Sequence, residues 1–191
     1  MATTTARERL LDAADDLFYR VGVQTVGIYR VIEQAGVAKA SLYNTFGSKE
    51  ALVEAYLEGR HARLTARITR HVRGYDEPRA QLLAVFEALA ELIHEPGYRG
   101  CAFALASAEA PSDGRVVHAA LAYRGWVQAL FTDLATRAGA PDPDLLARQL
   151  HLLYSGTGQA ARMDGNVEAA DEARAVAAIL LEATLRDAPT S

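Results

Sequence analysis

Gly27-Ile28-Tyr29-Arg30-Val31-Ile32-Glu33-Gln34-Ala35-Gly36-Val37-Ala38-Lys39-Ala40-Ser41-Leu42-Tyr43-Asn44-Thr45-Phe46 is the stretch from which the rest of the chain is read. Its spacing predicts a short helix from about Ile28 to Ala35, stopped at Gly36, and after three residues a second from Lys39 to about Thr45. That order of helix, glycine-led turn and helix is the plan of a helix-turn-helix. Val31, Ala35, Val37, Leu42 and Phe46 can supply one apolar face between the two. Helices of eight residues are unstable alone, so this face needs a partner. Upstream, Thr5 and Glu8 have capping-box spacing, and Leu10, Ala14, Leu17, Phe18 and Val21 follow at helical spacing up to Gly22. The opposite face of the second short helix presents Lys39, Ser41, Asn44 and Thr45, with Tyr43 at its flank. A helix of this length fits a DNA major groove, where polar side chains meet base edges or phosphates. Ser48 then caps a long helix whose first residue is Lys49, a start at which a phosphate is favoured.

Working outward, every further segment reads as helix. The expected spans are Ser48 to about Val72, Pro78 to about Ile93, about Arg99 to Glu109 with a closing turn at Pro111-Ser112-Asp113-Gly114, and 115–138. Two more follow, from Asp142-Pro143 to about Met163 and from about Glu168 to Arg186. The fold class is all-α with about nine helices: an N-terminal three-helix head and a larger helical domain behind it. The chain has 191 residues and a net charge of −4, but residues 1–74 carry +3 and residues 75–191 carry −7. A basic small unit joined to an acidic larger one is compatible with nucleic-acid binding confined to the N-terminus. A single cysteine, Cys101, and no apolar run of membrane-spanning length point to a cytoplasmic protein away from the membrane.

No catalytic or metal motif emerges. His61, His71, His94, His118 and His151 lack metal-ligand spacing, His94-Glu95 lacks a second histidine, and Ser107 and Ser155 lack a nucleophile elbow. We therefore expect no enzyme, no metal, no cofactor and no redox role for Cys101. Arg60, Arg63, Arg67, Arg70 and Arg73 form one basic face, expected to be solvated or salt-bridged. Phe86, Leu89, Ile93, Phe103, Leu105, His118, Tyr123, Trp126 and Tyr154 are the candidates for lining an apolar effector pocket, with His94, Gln128 and His151 as further polar contacts. In the last two helices, Leu145, Gln149, Leu152, Gly156, Ala160 and Met163, and then Ala173, Val176, Leu180 and Thr184, form stripes suited to pairing with a second copy.

The run Gly36-Val37-Ala38-Lys39-Ala40-Ser41-Leu42-Tyr43-Asn44-Thr45-Phe46-Gly47-Ser48-Lys49-Glu50-Ala51-Leu52 closely resembles the signature of the TetR family of transcriptional regulators. The resemblance implies a DNA-binding domain over 1–48 and an effector-binding and dimerisation domain over 49–191. It also implies a homodimer joined through the last two helices, a double-stranded operator and a small-molecule effector. Lys39, Tyr43 and Lys49 match positions that contact the DNA backbone in the family, and Asn44 and Thr45 match the variable end of the recognition helix. Thr45 departs from the histidine often found there. Gly27 and Ala38 stand where hydroxyl caps are usual, and Thr25 is the candidate to replace the oxygen that Gly27 lacks. The expected role is a repressor released from a near-palindromic operator. The alternative is an all-α ligand carrier or small enzyme that keeps the head only as a folding unit.

Overall fold

A computed structural model describes residues 4–110 and 114–186. Within them lie nine helices: α1 (Ala6–Val21), α2 (Ile28–Ala35), α3 (Lys39–Phe46), α4 (Lys49–Val72), α5 (Pro78–Ile93), α6 (Ala102–Glu109), α7 (Arg115–Arg137), α8 (Pro143–Met163) and α9 (Ala169–Arg186). Their boundaries follow local chemistry. Thr5 Oγ1 accepts from the Glu8 amide at 3.2 Å while the Thr5 amide donates back to Glu8 Oε2 at 2.7 Å, so the capping box is complete. Gly36 ends α2 in the left-handed region at φ 61°. The Gly36 amide bonds to Glu33 and the Val37 amide to Ile32, which closes the helix as a Schellman turn. Ser48 Oγ accepts from the Ala51 amide, and Asp142 Oδ1 accepts from the Leu145 amide, so both expected caps are present.

One boundary differs from the sequence reading. The segment expected from about Arg99 becomes helical only at Ala102, because Gly100 takes φ +98° and Cys101 is extended as the N-cap. The expected turn at Pro111-Ser112-Asp113 and the first three residues lie outside the described residues.

The chain forms two compact units, Met1–Ala62 with Cys101–Tyr123, and Arg63–Gly100 with Arg124–Ser191. In the first, α1 buries Leu10, Ala14, Leu17 and Phe18 against Val31, Ile32 and Ala35 of α2 and Leu42 of α3. Leu52, Val53, Tyr56 and Leu57 of α4 extend this core, and Phe18 meets Tyr56 edge-on at 5.7 Å. Phe46, expected in the apolar face, is only half-buried and lies under the Arg7 guanidinium. Arg60 makes a bidentate pair with Asp15 at 2.7 and 2.9 Å and covers the Tyr19 ring.

In the second unit α5 packs against α8 and α9, which also pack on each other. Phe86, Phe131 and Tyr154 meet in pairs at 6.1 to 6.3 Å within this core. Arg67 pairs with both Glu91 and Glu95, and Glu91 is bonded in addition by Arg70 and His71. Arg60, Arg67 and Arg70 of the basic stripe are thus salt-bridged.

Ala38 caps α3 with extended dihedrals but no side-chain bond. Ala38→Ser should therefore stabilise the fold by about 0.5–2 kcal/mol in denaturant titration, and a neutral or destabilising result contradicts the cap assignment. Arg70, then His71, hold Glu91 down to a pKa of about 2, below its ordinary 4.5. A depressed carboxylate contributes stability above its unfolded pKa and loses it as pH falls towards its folded one. Glu91→Gln should flatten the fall in melting temperature between about pH 4.5 and 2, whereas an unchanged acid slope excludes this cluster as its source.

Candidate nucleic-acid interface

On α3 one residue fixes which face points outward. Leu42 is fully buried, Lys39, Tyr43, Asn44 and Thr45 are exposed and Ser41 is half-buried; Asn44 lies on the side of α3 opposite Leu42, and Lys39 and Thr45, three residues to either side, flank Leu42. Thr45 Oγ1 donates to the Ser41 carbonyl at 2.6 Å, so its hydroxyl proton is engaged and the oxygen is left to accept. Asn44 is exposed and offers both a donor and an acceptor. Thr25 is exposed in the α1–α2 connection, and α2 begins at Gly27 with no side-chain cap, so Thr25 does not replace the missing oxygen at that cap.

Two of the candidate cations are oriented by neighbours. Lys49 Nζ, half-buried at the first residue of α4, donates to the Gln24 carbonyl at 3.4 Å. Lys39 Nζ donates to the Tyr29 hydroxyl at 2.8 Å, and this bond raises the pKa of the ammonium above its ordinary value. Tyr29, 67% exposed, was not selected from sequence. Its signal was present: an aromatic residue on the polar side of a helix whose apolar face is Val31, Ile32 and Ala35.

Behind this surface, Glu109 at the end of α6 accepts from the Gln24 amide at 2.8 Å. Gly22, at φ +111°, lets the loop approach this carboxylate; a Cβ there would stand 2.7 Å from Glu109 Oε1. Arg115 Nη1 donates to Glu54 at 2.7 Å, tying the start of α7 to α4.

The effector candidates separate into two groups. In the first unit Phe103 stacks on Tyr123 at 4.4 Å, with His61 edge-on to both rings; Leu105 is half-buried and His118 exposed. In the second, Phe86, Leu89 and Ile93 are buried core and Tyr154 packs beside Phe86. Trp126 lines an open groove of about 510 Å³ with Thr65, Ala66, Thr69, Arg70 and Arg73. His94 Nδ1 lies 2.8 Å from the Ala90 carbonyl, back on its own helix. His151 Nδ1 lies 2.9 Å from Gln128 Oε1, and burial, helped by Arg124, lowers the histidine pKa. Cys101 is exposed, and no cluster of three or more His, Cys, Asp or Glu side chains suited to a metal occurs among the described residues.

The pairing stripe on α8 is exposed at Leu145, Gln149, Leu152, Gly156 and Met163, with Leu152 at 76% and Met163 at 70%. Ala160, Leu180 and Thr184 are half-buried, and Val176 is exposed. Ala173 is buried within its own unit and offers no outer surface. Ile179, 68% exposed, takes its place beside Val176.

Four similarities to known proteins accompany this geometry. The family model described as bacterial regulatory proteins, tetR family, matches residues 10–56. A TetR-family transcriptional regulator from Streptomyces coelicolor is similar in structure with a TM-score of 0.83 at 32% identity, covering 96% of this chain and 95% of that one. An uncharacterised HTH-type transcriptional regulator of Mycobacterium tuberculosis is 31% identical over 93 residues, 49% of this chain and 46% of that protein. The HTH-type transcriptional activator FasR of Mycolicibacterium smegmatis is 33% identical over 95 residues, 49% of this chain and 43% of that protein. The chain thus spans about half the length of the curated relatives it matches.

Proposed function

Because the chain belongs to the TetR family of transcriptional regulators, we propose that it is a dimeric repressor, held on a near-palindromic operator and released by a small effector. At the level the family carries, it is a DNA-binding regulator and not an enzyme. The observation that supports the finer reading best is the polar tip of α3, where Lys39, Tyr43 and Asn44 are exposed while Leu42 is buried. In this reading residues 1–48 are the DNA-binding head and 49–191 the effector-binding and dimerisation domain, and the protein works in the cytoplasm. No helix among the described residues is long and apolar enough to cross a membrane.

Lys49 and Tyr43 are assigned to phosphates and Asn44 to a base edge, with Ser41, Thr45 and Thr25 at the margin of the contact. One head covers few base pairs, so useful specificity needs two on one body. The exposed apolar residues of α8 and α9 support pairing there. Release requires an effector that prefers the dimer conformation unable to hold DNA, since a ligand shifts an equilibrium only by its differential affinity. The Glu109–Gln24 bond supports such a route, because any shift of α6 must stretch or break a contact to the head.

Activation is the second reading, favoured by the resemblance to FasR, which is named an activator. Reporter transcription from a selected operator, with and without the protein, separates the two: repression lowers output and activation raises it.

Selection of bound sites from random duplex DNA tests the proposal as a whole. A near-palindrome is expected, with half-sites about one helical turn apart or a multiple of it; a lone half-site removes the dimer, and no enrichment removes DNA reading. On the recovered operator, Lys49→Ala should weaken all duplexes about equally and lower the salt slope by roughly one unit. Asn44→Ala should instead change preference among operator variants by about 1–3 kcal/mol. The reverse pattern contradicts the assigned roles.

The interface has its own test. A Cβ at Gly156 meets nothing within 4 Å inside one chain, so Gly156→Arg is compatible with the folded protomer. Sedimentation should show the variant shifted towards monomer with its helicity kept. A dimer as strong as the wild type places the interface elsewhere.

A further inference from the structure

We propose that Tyr29 and Lys39 form a two-donor clamp on a single DNA phosphate, an inference that rests on the DNA-binding reading and adds a residue to it. The two side chains come from different helices, Tyr29 from the first turn of α2 and Lys39 from the first residue of α3. Lys39 Nζ lies 2.8 Å from the Tyr29 hydroxyl, 4.9 Å from the centre of the Tyr29 ring and 5.8 Å from that of Tyr43.

The hydrogen-bond inventory gives this pair its function. An ammonium carries three donors and no acceptor, whereas a phenol carries one donor and accepts as well. The ammonium donates to the Tyr29 oxygen and keeps two N–H groups. The Tyr29 O–H, spared by that arrangement, remains a donor. Two donors 2.8 Å apart, one of them cationic, match an anion with adjacent oxygens. Packing gives no other account of Tyr29, which is 67% exposed on the side of α2 away from Val31, Ile32 and Ala35.

The rings of Tyr29 and Tyr43 also restrict the lysine. An exposed lysine stem is flexible, and fixing it on DNA costs side-chain entropy. An ammonium already bonded to Tyr29 and near the faces of two aromatic rings has lost part of that freedom before it meets DNA. Tyr29 therefore both donates to the phosphate and positions Lys39. Gly27, at the start of the same helix, supplies no side-chain oxygen, and the hydroxyl of Tyr29 is a donor that α2 can bring to the backbone in its place.

The test uses the full chain and the duplex recovered by selection, with wild type, Tyr29→Phe, Lys39→Met and the double variant measured over several salt concentrations. Tyr29→Phe keeps the ring and removes one exposed oxygen, so its thermal melt should match the wild type. It should weaken binding about tenfold with an unchanged salt slope, since the phosphate charge is still neutralised. Lys39→Met should weaken binding further and lower the slope by about one. The double variant should bind no more than about twofold more weakly than Lys39→Met, because the pair acts as a unit.

A scan of single neutral methylphosphonate linkages then identifies the phosphate. One and the same position should make both single substitutions silent. Multiplicative losses, silencing at two different phosphates, a Tyr29→Phe variant that binds like wild type, or one that melts earlier each overturns the clamp. Failure of the wild type to enrich any duplex is a separate result: it overturns the DNA-binding reading and the clamp with it.

Discussion

The burial of Leu42 is the contact on which the outward chemistry depends. Eight residues do not hold a helix in water, so α3 exists because this side chain, fully buried, joins the core made by α1 and α2. Burying a leucine contributes about 1.5–3 kcal/mol to holding that helix in place. The same contact sets the rotation of α3 about its axis. With Leu42 inward, Asn44 lies on the opposite side of the helix and Tyr43 about a quarter-turn away, while Lys39, three residues before Leu42, is exposed at the first residue of α3.

Around that anchor the α1–α2 connection is held from two sides. The Gln24 amide is bound by the Glu109 carboxylate and the Gln24 carbonyl by Lys49, so a single residue joins the end of α6 to the start of α4. Gly22 makes the approach possible, since a side chain there would collide with Glu109 and strain the backbone. On the proposed reading, Lys49 has two roles: it steadies the head through Gln24 and offers its remaining donors to DNA. A regulator that must be both firm on DNA and releasable fits a few exposed polar links of this kind better than a sealed apolar contact, because such links break locally at small cost.

Local chemistry explains what was legible in the sequence. The Thr5–Glu8 box, the Gly36 stop and the Ser48 and Asp142 caps are decided within a few residues, and the expected helices stand close to where their spacing put them. The helix α6 starts later than expected because an Ala-rich run carries little periodicity, while Gly100 at positive φ and the extended Cys101 delay it. Cross-helix geometry was hidden. Tyr29 and Lys39 are ten residues apart across a turn, and their hydrogen bond is set by the α2–α3 packing. On α9 Ala169, Ala170, Ala173 and Ala177 pack inward, where small side chains let helices approach closely, so Ala173 is core while Val176 and Ile179 project. Large apolar residues read the same from sequence in a packed core or around a cavity; only coordinates show Phe103 stacked on Tyr123 and Phe86 packed beside Phe131 and Tyr154.

The central claim is that the outward face of α3 reads duplex DNA through the major groove, twice per dimer. Methylation protection on a selected operator measures this directly, because guanine N7 lies in the major groove and adenine N3 in the minor groove. The account predicts two patches of guanine N7 protection, centred about one helical turn apart or a whole multiple of it. Protection confined to adenine N3, or a single protected patch, contradicts it.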